Sequence, residues 1–150
     1  MLRLNLPSHS FKIKDVDGKL VIFDDIRKKF IALTPEEWVR QHFVHFLISD
    51  KKFTKSLIAN EITIKLNGTT KRCDSVVYDK NLLPLIIIEY KAPEIEINQK
   101  VFDQISRYNL VFRVPYLIVS NGLSHYCCFV DYVNQSITFL SEIPDYESII

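Results

Sequence analysis

Apolar and polar residues alternate at two different spacings along this chain, and the points where the spacing changes divide it into elements. Over residues 11–33 the segments FKIKDV and KLVIFDD lie either side of Asp17-Gly18, which predicts a short hairpin. Thr34-Pro35-Glu36-Glu37 then reads as a helix start: a capping hydroxyl, a proline at the first helical position, and acids where the helix dipole favours them. A helix of roughly sixteen residues should follow, with Val39, Phe43, Phe46 and Leu47 on one stripe. At about 100° per residue Glu36 shares the side of Val39, Phe43 and Leu47, and Glu37 falls further round.

Strand spacing returns in SLIANEITIKL and TTKRCDSVVYD, which flank Asn67-Gly68, the strongest short-range hairpin signal. LLPLIIIEYK supplies a third strand whose unbroken apolar run predicts burial on both faces. Residues 97–112 carry Ile97, Val101, Ile105, Tyr108 and Phe112 at helical spacing, with Gln104 along the same stripe. VPYLIVS, SHYCCFVDYV and SITFL complete the chain as strands, joined at Asn121-Gly122 and near Asn134-Gln135. The order is helix, three strands, helix, more strands, which predicts an α/β fold with a mixed sheet flanked by helices.

Composition narrows the function without naming it. The 150 residues suit one domain, 1–150, with residues 1–33 as an N-terminal hairpin extension to a core at 34–140. Hydrophobic residues make up 47% and charged residues 25%, values of a globular chain. A formal charge of +1 gives no global pull onto phosphate backbones, so any nucleic-acid contact must be local or helped by a partner. Cys73, Cys127 and Cys128 form no CxxC or Cys/His ligand spacing, which argues for a reducing cytoplasm and against structural zinc. Neither a signal-peptide pattern nor a membrane-length apolar run is present, so a soluble cytoplasmic protein with no membrane partner is expected. Three glycines leave no phosphate-binding GxxxxGK[ST] loop and no GxGxxG fingerprint, which removes most support for ATP or dinucleotide chemistry.

The candidate chemistry lies in RCDSVVYDKNLLPLIIIEYK. With Asn67-Gly68 as a two-residue turn, counting back along both strands sets Glu61 opposite Asp74. With Lys80 to Leu83 as the next loop, Asp79 faces Pro84 and Asp74 faces Glu89. Three carboxylates would then line up across three strands, where like charges repel and apolar surroundings strip hydration. A divalent cation would compensate them: Mg²⁺ takes carboxylate oxygens, keeps several waters and makes a bound water a better nucleophile. Lys91, two residues beyond Glu89, projects from the same strand face and could orient the water or stabilise a scissile phosphate. The carbonyl of Tyr90 could add a ligand. The bland alternative is a set of strand-end ion pairs, Asp74 with Arg72 or Lys71 and Glu89 with Lys91.

Asp74, fourteen intervening residues, then Glu89-Tyr90-Lys91 resembles the PD-(D/E)xK nuclease superfamily. That motif alone is weak. FDDIRKKFIALTPEEWVRQHFVHFLI, KRCDSVVYD, IIIEYKAP, FDQISRYN and PYLIVSNGLSHYC together resemble the N-terminal nuclease domain of type I restriction enzyme R subunits, from about Phe23 to about Cys128. The resemblance implies a restriction-endonuclease-like α/β fold and Mg²⁺-dependent DNA cleavage, with Mn²⁺ as a substitute. It implies that Asp74 and Glu89 bind the metal and that Lys91 positions the water. A first-helix glutamate often joins such a site, and Glu36 fits best on helical phase. Gln104 and Tyr108 match the Gln-x-x-x-Tyr motif associated with DNA or site positioning. Cys73 stands where the motif's proline would, a common departure. The implied partners are DNA and other restriction-modification subunits, with a homodimer left open. ATP-driven cleavage is not expected from these residues alone, and a non-catalytic DNA-binding or assembly module with the same fold is the competing reading.

Other residues favour bland roles. His42, His45 and His125 sit apart in the predicted elements, and Cys127-Cys128 belongs to a hydrophobic strand with no base nearby in sequence. Trp38, Tyr116, Tyr126 and Tyr132 read as core or interface. Lys51, Lys52, Lys55, Lys71 and Arg72 form the best local basic group for backbone contact.

Overall fold

The computed structural model describes residues 2–66 and 68–150, with the side chains of Leu66, Tyr108 and Val111 outside the description. Residues 11–33 make three strands rather than two: β1 (Ile13–Val16), β2 (Lys19–Asp24) and β3 (Lys29–Ala32) form an antiparallel meander. The third strand was hidden because DDIRKK reads as a charged loop. Its first carboxylate in fact builds the turn, with Asp24 Oδ1 accepting from the amides of Ile26 and Arg27.

α1 (Pro35–Ser49) starts as its sequence prescribes, with Thr34 Oγ1 accepting from the Glu37 amide. Val39, Phe43 and Leu47 are fully buried. Glu37, Arg40 and Gln41 are buried as well, so the helix buries a polar flank beside its apolar stripe.

β4 (Ile58–Leu66), β5 (Thr69–Tyr78), β6 (Pro84–Tyr90), β7 (Tyr116–Ser120), β8 (His125–Asp131) and β9 (Ser136–Phe139) form a six-stranded sheet in that spatial order. Every pair is antiparallel except β6 and β7, which run parallel and are joined through α2 (Gln99–Phe112). α2 is capped by Asn98, whose side chain accepts from the Val101 amide, and ends at Arg113 in the left-handed region. A last helical turn, α3, spans Tyr146–Ile149.

The apolar run of β6 explains its place at the centre. Ile86 and Ile88 pack toward α1 with Phe43, Leu47 and Ile118, while Ile87 packs toward α2 with Phe102, Ile105 and Phe112. Each fully buried side chain of this size contributes about 1.5–3 kcal/mol. Cys127 joins the α1 layer and Cys128 the α2 layer, and burial pushes their thiols up to about 12 and about 11. Both therefore serve packing. Among the described residues no helix is long and apolar enough to cross a membrane.

Candidate active site

The site forms where the ladders around β5 are interrupted. β4 and β5 keep the register counted from the Gly68 turn, Leu66 opposite Thr69 and Ile62 opposite Cys73, then resume with Asn60 opposite Ser75. The missing pair is Glu61 and Asp74. Asn67, the other half of the turn signal, lies outside the described residues. At the gap Glu61 takes a left-handed backbone, φ +53°. Both strands also change face there: Ile64 and Cys73 belong to the α2 layer, whereas Ser75 and Asn60 bond one another beneath Tyr90 on the α1 side.

This face change separates the acids that simple register would align. Glu61 binds Arg40 Nη2 at 2.5 Å and Arg72 Nε at 2.8 Å. Burial raises the Glu61 carboxyl, but the Arg40 hydrogen bond and both guanidinium charges outweigh it and hold the group below its ordinary value. Arg40 Nη1 also donates to the Asp74 carbonyl at 2.7 Å, and its Nε lies 3.1 Å from Glu37 Oε2 without hydrogen-bond alignment. The expectation that Glu61 joins the other two carboxylates is thus corrected: its oxygens face two arginines.

Asp74 and Glu89 do converge. The β5–β6 ladder ends with Ser75 opposite Ile88, and the same register continued by one residue brings Asp74 to Glu89. The assumed loop was not the reason. Tyr78, not Asp79, faces Pro84, and a register shift between Val77 and Tyr78 restores the count. Asp74 Oδ2 accepts from the Tyr90 amide at 2.9 Å. N–H and C=O of one strand residue share an edge, so the Tyr90 carbonyl opens on the Asp74 side. Burial, then the negative charge of Asp74 and a hydrogen bond with it, push the Glu89 carboxyl up to about 7, against the opposing pull of Lys71.

Lys91 and Gln104 border the same pocket, a space of about 270 Å³ lined also by Lys71, Glu89, Val101 and Ile105. Gln104 is solvent-exposed, so its carboxamide is available rather than fixed by a buried partner. The side chain of Tyr108 lies outside the described residues. Glu36 is exposed at the start of α1. Glu37 is the buried one, bonded to Arg27 and Gln41. The helical phase was anchored on the apolar stripe, whereas the flank that meets β4 and β5 is the polar one, Glu37, Arg40 and Gln41.

The ion-pair alternative is corrected as well. Glu89 pairs with Lys71, not Lys91, and among the described residues Lys91 has no carboxylate partner. Lys71 was missed as a site residue because strict alternation from Asp74 sends it to the opposite face; only the face change brings it to Glu89. Arg40 had a visible signal, its i, i+3 spacing from Glu37. Two larger clefts, at Asp25 and Lys55 and at Asp79 and Tyr146, bring no second acidic side chain together.

Among the described residues no three His, Cys, Asp or Glu side chains gather as a metal cluster. A carboxylate pair with an adjacent backbone carbonyl still fits Mg²⁺, which keeps most of its waters and needs few protein oxygens. Fit is supported by the electrostatics, since two close carboxyls with one driven toward neutrality are what a divalent charge would relieve.

The architecture is α/β, a mixed sheet flanked by helices, of the kind found in R subunits of type I restriction enzymes. The chain belongs to the family described as type I restriction enzyme R protein N terminus (HSDR_N), whose model matches residues 35–144. A structure described as a fragment of an HsdR subunit of a type I restriction enzyme from Vibrio vulnificus YJ016 is similar over 79% of this chain, at 20% identity and TM-score 0.53. This chain spans 25% of that one. A cryo-electron-microscopy structure of a DrdV–DNA complex is a fainter likeness, at 18% identity and TM-score 0.45 over 73% of this chain and 11% of that one. No curated protein matches the chain.

Proposed function

We propose that this domain is a Mg²⁺-dependent DNA endonuclease acting with other restriction-modification subunits. The observation that carries the reading is the convergence of Asp74 and Glu89 next to a pocket bordered by Lys91 and Gln104. Asp74, Glu89 and the Tyr90 carbonyl would hold the ion, which supplies positive charge at the scissile phosphate and an acidified water. The Tyr90 amide donates to Asp74 Oδ2 and so fixes how this carboxylate would be presented to the ion. Lys91, which has no carboxylate partner among the described residues, can donate to the attacking water or to a phosphate oxygen as charge develops. Gln104 can donate to the DNA backbone at the pocket rim. Purified protein incubated with plasmid and Mg²⁺ or Mn²⁺ should nick it, and Lys91→Ala should reduce nicking at least 100-fold; equal or absent nicking in both would falsify the reading.

One observation favours a non-catalytic assembly module instead. The Lys71 ammonium on Glu89 neutralises part of the site without a metal. Metal binding separates the two readings: a catalytic site must take Mn²⁺ in place of that ion pair, and calorimetry measures it directly.

A further inference from the structure

The meander of β1, β2 and β3 has two unlike faces. Partners across the strands share a face, so Ile13, Asp15, Leu20, Ile22, Asp24, Lys29 and Ile31 make one set of rows. Ile22 and Asp24 there are fully buried, and Asp24 bonds Asn60 of β4 at 3.1 Å, so this face meets the body. Outward rows carry Lys14, Val16, Lys19, Val21, Phe23, Phe30 and Ala32, with Lys12 beside Phe23. No carboxylate stands in the outward rows. Asp15 faces the other way and accepts from the Gly18 amide, and Asp25 is held in the turn by Lys28 and Lys55.

Lys12 lies over the Phe23 ring at 5.6 Å and Lys14 over the Phe30 ring at 4.0 Å, while the two rings meet edge to face at 5.2 Å. Phe30 is 38% exposed. Among the described residues Lys12, Lys14 and Lys19 form no ion pair with a carboxylate. The basic group expected from sequence is differently placed: Lys51, Lys55, Lys71 and Arg72 hold Asp145, Asp25, Glu89 and Glu61. Lys52 donates to the Ser49 carbonyl. On the outward meander, by contrast, Lys12 and Lys14 stand over aromatic rings, and the acid near them, Asp25 beside Lys12 and Phe23, is already held by Lys28 and Lys55. The meander also lies outside residues 35–144, the part that the family model covers.

We propose that this face is a docking platform for single-stranded nucleic acid, with the lysines tracking the phosphates and Phe30 and Phe23 stacking unpaired bases. Exposed aromatics on a sheet beside unneutralised cations suit that ligand, because every base offers a π face and backbone charge is uniform. The choice of nucleic acid rests on the DNA reading given above. Unpaired bases expose the π faces that an aromatic ring can stack on, and paired bases do not, so single strands are preferred over duplex.

The test is fluorescence anisotropy in EDTA with a labelled single-stranded DNA oligonucleotide and a duplex of the same length, at 50 to 200 mM salt. The double variant Lys12→Ala, Lys14→Ala should bind the single strand about 10-fold more weakly near 0.1 M salt, with a salt slope shallower by about 1.4. Phe30→Ala should lose about 5-fold or more on the single strand, keep its slope, and leave duplex binding unchanged. All the substituted groups are solvent-facing, and an unchanged melting temperature confirms folding. Wild-type affinity in the lysine variant, no measurable binding by wild type, or tighter binding to phosphatidylserine vesicles than to DNA overturns the proposal. Absent plasmid nicking with intact lysine-dependent binding rejects the nuclease reading alone, and the converse rejects the platform alone.

Discussion

The amide of Tyr90 donates to the carboxylate of Asp74 at 2.9 Å, in the place where the β5–β6 ladder would have put a backbone acceptor. A ladder bond is thus exchanged for a bond that orients the Asp74 carboxylate beside Glu89. Asp74→Asn keeps an acceptor for this amide but loses the charge. It should fold with a melting temperature near wild type while Mn²⁺ affinity, read by calorimetry, drops at least 10-fold; unchanged affinity would remove Asp74 from the proposed metal set.

Glu89 links the site to pH. Its folded-state value near 7 is above the ordinary 4.5, so the folded protein binds this proton more tightly than the unfolded chain does. The associated stability is fully present below pH 4.5 and is lost as pH rises through about 7. The interval corresponds to on the order of 3 kcal/mol. Urea unfolding in EDTA across pH 4.5–7.5 should show wild type losing stability relative to Glu89→Gln. Added Mn²⁺ should reverse the loss at the upper end, since metal binding needs the deprotonated carboxyl.

Arg40 is held by Glu37, Glu61 and the Asp74 carbonyl, and its side chain is 8% exposed. Arg40→Met takes one of two cations from each of Glu37 and Glu61, which keep Arg27 and Arg72, and removes the donor to the Asp74 carbonyl. Unfolding free energy should fall by about 1–3 kcal/mol, and adding Glu61→Gln should recover part of it. A loss under about 1 kcal/mol would mean that the contacts are those of a solvated surface cluster.

Gly122 has φ +84°, and its carbonyl accepts from the Asn5 amide at 2.8 Å. An added Cβ would stand 2.8 Å from Leu4 Cδ2 and 3.2 Å from Val39 Cγ2. Gly122→Ala should therefore cost about 1–3 kcal/mol, combining left-handed strain with displacement of Leu4 from α1. Thermal melting several degrees lower is the expected readout, and an unchanged midpoint would show that the turn relaxes freely.

Much of this protein is local and so was legible in the chain. The cap at Thr34, the helical stripe of Val39, Phe43 and Leu47, the two-faced burial of LIIIEY and the strand order around it follow from periodicity and turn chemistry alone. The meeting of Asp74 with Glu89 follows from register, which strand alternation transmits over several residues. Alternation also misled, because it is interrupted at Glu61 and Asp74. At that interruption Arg40, more than twenty residues away in sequence, takes the Asp74 carbonyl and the Glu61 carboxylate, and Lys71 pairs with Glu89. Short-range patterns therefore determined most of the elements and the register of β4 against β5. Only tertiary structure decided which cation each acid faces, because ion pairs obey distance in space and carry no period along the chain.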